Sequence, residues 1–213
     1  MIKLKKKEFT PQKSLVGSKI AGGNPKNERV ENDFYATNPV ALHKLLDVFP
    51  MHGSCLEPCV GQGHLAEVIK SRVDPECDCM DIVDRGYPGT KVADFLDHHF
   101  MGKQYDCIIT NPPYSLAEEF IRKSLSTLKP NGYCAMFLKI QFLEGAKRQA
   151  LFEDYPPKYI YVFRNRMATW NNGNEFTPEG KKWSTTFCHA WFIWQKERNI
   201  VKRQAVEPIV RWL

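Results

Sequence analysis

The chain has 213 residues, 43% of them hydrophobic and 12% aromatic, which suits one globular domain with a sizeable core and excludes a disordered chain. No apolar run approaches the roughly 18 residues of a transmembrane helix, and the basic start MIKLKKKEFT has no apolar stretch behind it, so a cytoplasmic protein with no membrane partner is expected. The net charge of +6 suits a polyanionic partner.

Residues 1–30 are polar, basic and rich in Gly, Asn and Lys, and read as a flexible arm; residues 31–213 read as one domain. Asn38-Pro39 opens a helix, with Asn as N-cap and Pro in the first turn. Val40, Leu42, Leu45, Leu46 and Phe49 then recur at helical spacing. Seven short apolar runs follow: SCLEP, CDCMDIVD, TKVADFL, YDCIITN, YCAMFLKI, YIYVFR and TFCHAWFIWQ. Helical stretches such as HLAEVIKSR and SLAEEFIRKSLSTLKPNG alternate with most of them. In the second, Ser115 and Glu118 have capping-box spacing, and Lys129-Pro130-Asn131-Gly132 ends the helix. This alternation predicts an α/β fold with a seven-stranded, mainly parallel sheet covered by helices on both faces. No clear helix separates the last two runs, so the last strand is expected to be antiparallel.

The first run leads into Leu56-Glu57-Pro58-Cys59-Val60-Gly61-Gln62-Gly63-His64, with Glu57 at the strand's carboxyl end, where open parallel sheets bind ligands. Gly61 and Gly63 let the backbone turn sharply and approach a ligand closely. Asp81 ends the second strand, where a carboxylate can accept both hydroxyls of a ribose. Asp84 competes for that role but falls beyond the strand, beside Arg85-Gly86. Asp94 follows the third run and can accept a hydrogen bond from an adenine amino group, with Ile82 and Phe95 walling the ring.

Asn111-Pro112-Pro113-Tyr114 ends the run YDCIIT. The side-chain oxygen of Asn111 and the backbone oxygen of Pro112 can each accept a hydrogen bond from one NH₂ group. Two acceptors at fixed angles draw a conjugated amine toward tetrahedral geometry and expose its lone pair. The prolines restrict the backbone to an extended turn, and the ring of Tyr114 can stack on a planar base. The seven cysteines include no CxxC pair and no second ligand pair at zinc spacing, so no metal site is expected.

These features resemble the S-adenosylmethionine-dependent amino-methyltransferases, and most closely the DNA adenine 6-amino methyltransferases. LEPCVGQG is similar to the family's first cofactor motif and NPPY to its catalytic tetrad. Asp33-Phe34-Tyr35-Ala36-Thr37-Asn38-Pro39 resembles the segment that closes over the cofactor, with Asn38 as a departure between Thr37 and Pro39. The resemblance implies a Rossmann-like sheet and S-adenosyl-L-methionine as cofactor. It implies Tyr35, Thr37, Glu57, Pro58, Gly61, Gly63, Asp81, Ile82, Asp94, Phe95 and Asn111 as cofactor-binding residues. Asn111, Pro112, Pro113 and Tyr114 would be catalytic.

The implied substrate is adenine in double-stranded DNA, flipped out of the helix to reach the tetrad. Arg164 to Trp183 is the expected target-contacting stretch. In it Arg164, Arg166, Lys181 and Lys182 suit phosphates, and Trp170 suits either base stacking or a place under the loop. The family's separate target-recognition domain has no counterpart, which points to short or weak specificity or to help from a homodimer or partner subunit. RNA bases and a protein glutamine amide are alternative substrates of NPPY enzymes, and an inactive nucleic-acid-binding partner subunit is a third reading.

Overall fold

Alternating apolar side chains on the central strands serve two cores, one on each face of a single sheet. A computed structural model describes residues 35–171, 173–197 and 207–213. The basic arm expected over residues 1–30 lies outside the described residues. In chain order the elements are β1 (Tyr35–Thr37), α1 (Pro39–Val48), β2 (Cys55–Glu57), α2 (His64–Arg72), β3 (Asp78–Asp81), β4 (Lys91–Val92) and β5 (Tyr105–Thr110). Then come α3 (Ala117–Thr127), β6 (Leu128–Lys139), α4 (Gln149–Asp154), β7 (Tyr159–Val162), β8 (Thr169–Asn171), β9 (His189–Gln195) and β10 (Ile209–Trp212).

The large sheet has the order β10-β7-β9-β6-β5-β2-β3-β4. β9 runs antiparallel to both β6 and β7, and the other pairs are parallel. All seven expected strands are present, the seventh antiparallel as its missing crossover requires. β10 makes an eighth, parallel to β7 at the edge, with its four residues exposed. It lies beyond the last apolar run and is too short and exposed to give a burial pattern. β1 and β8 form a separate antiparallel ribbon.

Along β9, Trp191 and Ile193 enter the core shared with α1 and α2, while Ala190, Phe192 and Trp194 enter the core shared with α3 and α4. β6 alternates the same way, with Ala135 and Phe137 on the first face and Cys134, Met136 and Leu138 on the second. Cys77 and Cys79 share the first core, as their spacing along the strand dictates.

Asn38 caps α1, its Oδ1 accepting from the Val40 amide at 3.0 Å, with Pro39 in the first turn. The capping box expected at Ser115 and Glu118 does not form. Pro113, at φ −55°, starts a tight turn over Tyr114–Leu116, closed by the Leu116 amide on the Pro113 carbonyl at 2.9 Å. Ser115 is thus inside a turn rather than at its boundary, and Glu118 instead pairs with Arg122 one helical turn on, at 3.0 Å. α3 ends at Thr127, and Leu128 already pairs with Tyr105 in the sheet.

No helix among the described residues is long and apolar enough to cross a membrane.

Trp191 is fully buried, and its indole N–H donates to the Ala41 carbonyl at 2.9 Å, joining β9 to α1. Replacing it by Phe keeps an aromatic body but removes the donor and some volume. Trp191→Phe is expected to cost about 1–3 kcal/mol. Urea unfolding checks this as a lower midpoint at unchanged slope.

Candidate active site

The chain reverses its direction of travel across the sheet between β2 and β5. From β2 it moves outward to β3 and β4, then returns to β5 on the other side of β2. In an open parallel sheet this switch leaves a crevice at the carboxyl ends of the strands. A cleft of about 820 Å³, counted to its open mouth, lies there. Pro58 reaches it from β2, Asp81 and Ile82 from β3, Asp94 and Phe95 from the loop after β4, and Asn111 and Pro113 from β5. Thr37 closes it from β1.

The loop after β2 is held by β3. The Val60 amide donates to the Met80 carbonyl at 2.8 Å, and the Gly61 amide to Asp81 Oδ2 at 2.8 Å. Asp81 Oδ1 accepts from the Val83 amide at 3.1 Å. Each carboxylate oxygen keeps a second lone pair, so Asp81 can hold its loop and still accept from a ligand. Asp84 is turned into its own loop, accepting from the Gly86 amide at 2.8 Å, and is not in the lining. Asp94 accepts from the Leu96 amide at 2.8 Å and faces the cleft. Phe95 packs on Phe120 with ring centroids 5.0 Å apart, giving the cleft a rigid apolar wall, whereas Ile82 is 58% exposed at the mouth.

Glu57, Gly61 and Gly63 are not in the lining; they shape what is. Glu57 is fully buried, and its Oε1 accepts from the Cys59 amide at 3.3 Å. Burial pushes its carboxyl well above the ordinary carboxylate range, while the Thr110 hydroxyl and the Cys59 amide pull the other way. Among the described residues, neither Glu57 Oε2 nor Thr110 Oγ1 has a partner at full hydrogen-bond geometry. Gly63 has φ +89°, and a Cβ there would lie 2.1 Å from the Tyr87 ring. The space this glycine leaves open is filled by the Tyr87 ring.

Thr37 is 3% exposed and lines the cleft, and its Oγ1 has no hydrogen-bond partner among the described residues. Tyr35 lies in β1, and its side chain is outside the described residues. Asn111 leads straight out of β5 into the lining; Pro112 is buried behind it. Tyr114 faces away from this cleft toward the carboxyl end of β6. Its ring lies under the Lys139 ammonium, 4.9 Å from the centroid, and 6.3 Å from the His189 ring.

Two side chains that the sequence reading missed, Lys139 and His189, therefore adjoin Tyr114, and a third, Phe187, adjoins Lys139. Lys139 and His189 are direct cross-strand partners on β6 and β9, and the Lys139 ammonium is 3.8 Å from the Phe187 centroid. Alternation within TFCHAWFIWQ puts Phe187 and His189 on one face, but their meeting with Lys139 and Tyr114 depends on long-range strand order. Leu116 and Phe120 were missed in the lining of the switch-point cleft, although their spacing of four residues places them on one helical stripe. Arg85 also lines that cleft, with no periodic signal to mark it.

The expected target-contacting residues separate. Arg164, Lys181 and Lys182 are exposed. Arg166 donates to the carbonyls of Thr185 (3.3 Å) and Thr186, holding its own loop. Trp170 sits in β8 opposite Ala36, with its ring edge-on to His64 at 5.3 Å. Residues 173–183 form a folded loop, bridged at Phe176 and Lys182 and tied by Trp183 Nε1 to the Asn174 carbonyl at 2.7 Å.

Comparison with solved structures finds the same architecture. A candidate RNA methyltransferase from Pyrococcus horikoshii superposes with a TM-score of 0.57 at 13% identity, over 81% of this chain and 92% of that one. A candidate class I S-adenosylmethionine-dependent methyltransferase from Listeria monocytogenes gives 0.54 at 14%, over 82% of this chain and 62% of that one, so this chain spans less than two thirds of its length. A candidate hemolysin from Lactococcus lactis gives 0.53 at 12%, over 82% and 91%. At these identities the likeness shows the fold, a Rossmann-like α/β sheet shared with methyltransferase structures. No protein-family model and no curated protein sequence matches the chain.

Two predictions follow from the packing around the cleft. Gly63→Ala is expected to destabilise the protein by about 1–3 kcal/mol through its positive φ and the Tyr87 clash. Thermal unfolding should show partial recovery in Gly63→Ala/Tyr87→Ala, because only the clash is relieved.

The second concerns His189, which is 3% exposed, with Nδ1 2.9 Å from the Met167 carbonyl and its ring stacked on Phe137 at 4.8 Å. Burial lowers its imidazole from the ordinary 6.5 to about 4, with the Met167 carbonyl opposing and Lys139 adding to the fall. The unfolded chain therefore takes up this proton first. The stabilisation is fully present above pH 6.5 and is lost as pH falls toward 4, by on the order of 3 kcal/mol. His189→Gln should flatten the stability profile across that window, measured by urea unfolding from pH 7 to 4.

Proposed function

We propose that this chain is an S-adenosylmethionine-dependent methyltransferase acting on the exocyclic 6-amino group of adenine in DNA. The observation that carries the reading is the meeting of Asn111 and Pro113 with Asp81, Asp94 and Thr37 around one cleft at the switch point of the sheet.

The cleft suits that cofactor. Asp81 offers a carboxylate to ribose hydroxyls, Asp94 an acceptor to the adenine amino group, and Phe95 an apolar wall. The buried, unpartnered Thr37 hydroxyl is suited to the polar methionine end. When bound, S-adenosylmethionine supplies an electrophilic methyl on a sulfonium, ready for direct displacement by a nitrogen lone pair.

The chain's own task is to align that nitrogen and free its lone pair, and alignment is a large part of such catalysis. The Asn111 side-chain oxygen and the Pro112 carbonyl accept the two amino hydrogens and turn the lone pair toward the cleft. The prolines keep these two acceptors in register. The nitrogen becomes strongly acidic once alkylated and gives its proton to water, so the tetrad needs no strong base. Arg164, Lys181 and Lys182, exposed beyond β7, supply positive charge for a nucleic-acid backbone.

Mass spectrometry of nucleosides, after incubation with S-adenosylmethionine and either unmethylated duplex DNA or RNA, tests the proposal. The expected product is 6-methyladenine from DNA. Asn111→Ala is expected to lower turnover at least about 100-fold while retaining cofactor binding. Methylation confined to the RNA pool overturns the DNA assignment. Methylation of neither pool by a protein that binds the cofactor overturns the nucleic-acid substrate altogether.

A further inference from the structure

The space over Tyr114 is not empty. The Lys139 ammonium lies 4.9 Å from the Tyr114 centroid and 3.8 Å from that of Phe187, bridging the two rings. Lys139 ends β6, the strand beside β5, so its four-carbon stem reaches across one strand spacing to the turn that follows Asn111. On its other side it faces His189, its cross-strand partner, which stacks on Phe137. The result is a row of rings along the ends of β6 and β9, with a cation at the Tyr114 end.

A planar base stacking on that face of Tyr114 must move the ammonium. Stacking of a base on an aromatic ring is generally stronger than a half-exposed cation–π contact, so the exchange runs in the base's favour. The displaced ammonium stays tethered to the end of β6. A target nucleotide brings its own anion, the phosphate attached to the flipped base, to the same place. Lysine suits this exchange because its ammonium is a compact charge on a flexible stem.

Building on the proposed activity, we propose that Lys139 is a substrate-positioning residue, holding the Tyr114–Phe187 site in the free protein and pairing with the target nucleotide's phosphate once the base has entered. The ligand class is a nucleotide within a nucleic-acid strand, read through both its base and its phosphate. Lys139 forms no covalent bond and transfers no proton; it acts through the orientation of the nucleotide at Asn111.

Steady-state methylation of unmethylated duplex DNA by the full chain, across a salt series, tests this with the wild type, Lys139→Met and Lys139→Arg. Lys139→Met is expected to raise KM about tenfold, with kcat changed by less than about threefold, the size of effect expected for one charged contact. Its salt dependence should weaken by about one phosphate contact, and Lys139→Arg should restore most of the KM. Inhibition by free 2′-deoxyadenosine and its 5′-monophosphate adds a readout that fold damage cannot imitate. The wild type should prefer the monophosphate. Lys139→Met should lose that preference while binding the nucleoside at least as well, since its site is no longer held by the ammonium.

Unchanged KM and salt slope in Lys139→Met, or equal impairment in Lys139→Arg, overturns the proposal. So does a wild type that does not distinguish nucleoside from nucleotide. A wild type that methylates no DNA overturns the underlying activity instead, and that control separates the two failures.

Discussion

The Asp81 carboxylate is the tie on which the cleft at the switch point depends. One oxygen takes the Gly61 amide and the other the Val83 amide, so a single side chain fixes the loop after β2 and the exit of β3 together. Without it, two loops leaving neighbouring parallel strands would have one backbone bond between them there, from Val60 to Met80. Such loops set the shape of a crevice, while the strands merely deliver them to it. The same carboxylate faces the cleft, so the group that ties the loops is also presented to the crevice. The turn it holds is short, with Gly61 buried at φ +56°.

The second half of the site rests on different physics. Around Tyr114 the contacts are ring to ring and ring to cation, built from the ends of β5, β6 and β9. β9 enters between β6 and β7 and runs antiparallel to both, bringing Phe187 and His189 to the same edge as Asn111. A parallel strand in that position would start at the opposite edge of the sheet. The single reversal of direction is therefore what supplies the aromatic side of the site.

Most of the fold was legible because local pattern and global topology agree. Short apolar runs separated by amphipathic helices can hardly make anything but a covered parallel sheet, and Asn38-Pro39 marks its helix start with local chemistry alone. The positions of Asp81, Asp94 and Asn111 could be read because each lies at or just past the carboxyl end of a strand. What could not be read was set by contacts distant in sequence. Ser115 looked like a cap because the tight turn imposed by Pro113 has no periodicity of its own. Lys139 carries no local signal within the run YCAMFLKI, and its place over Tyr114 follows from strand order. Trp170 was expected near the target base, but the pairing of β8 with β1 carries it to His64.

That ribbon has a thermodynamic meaning. β8 stands outside the central sheet and pairs with β1 through three residue pairs, while Trp170 lies on His64 and Gly173 is packed against Gln62. The segment following β7 is thus laid across the strand and the loop that border the cleft. A two-stranded ribbon of this length is marginal by itself, so its arrangement is set by what it touches on either side. A ligand in the cleft that favours one arrangement of the ribbon changes the affinity of whatever binds the β7–β9 segment. Linkage requires the reverse effect to be of equal size. Were the two regions coupled in this way, a substitution that loosens the ribbon would weaken that coupling even where it touches neither ligand.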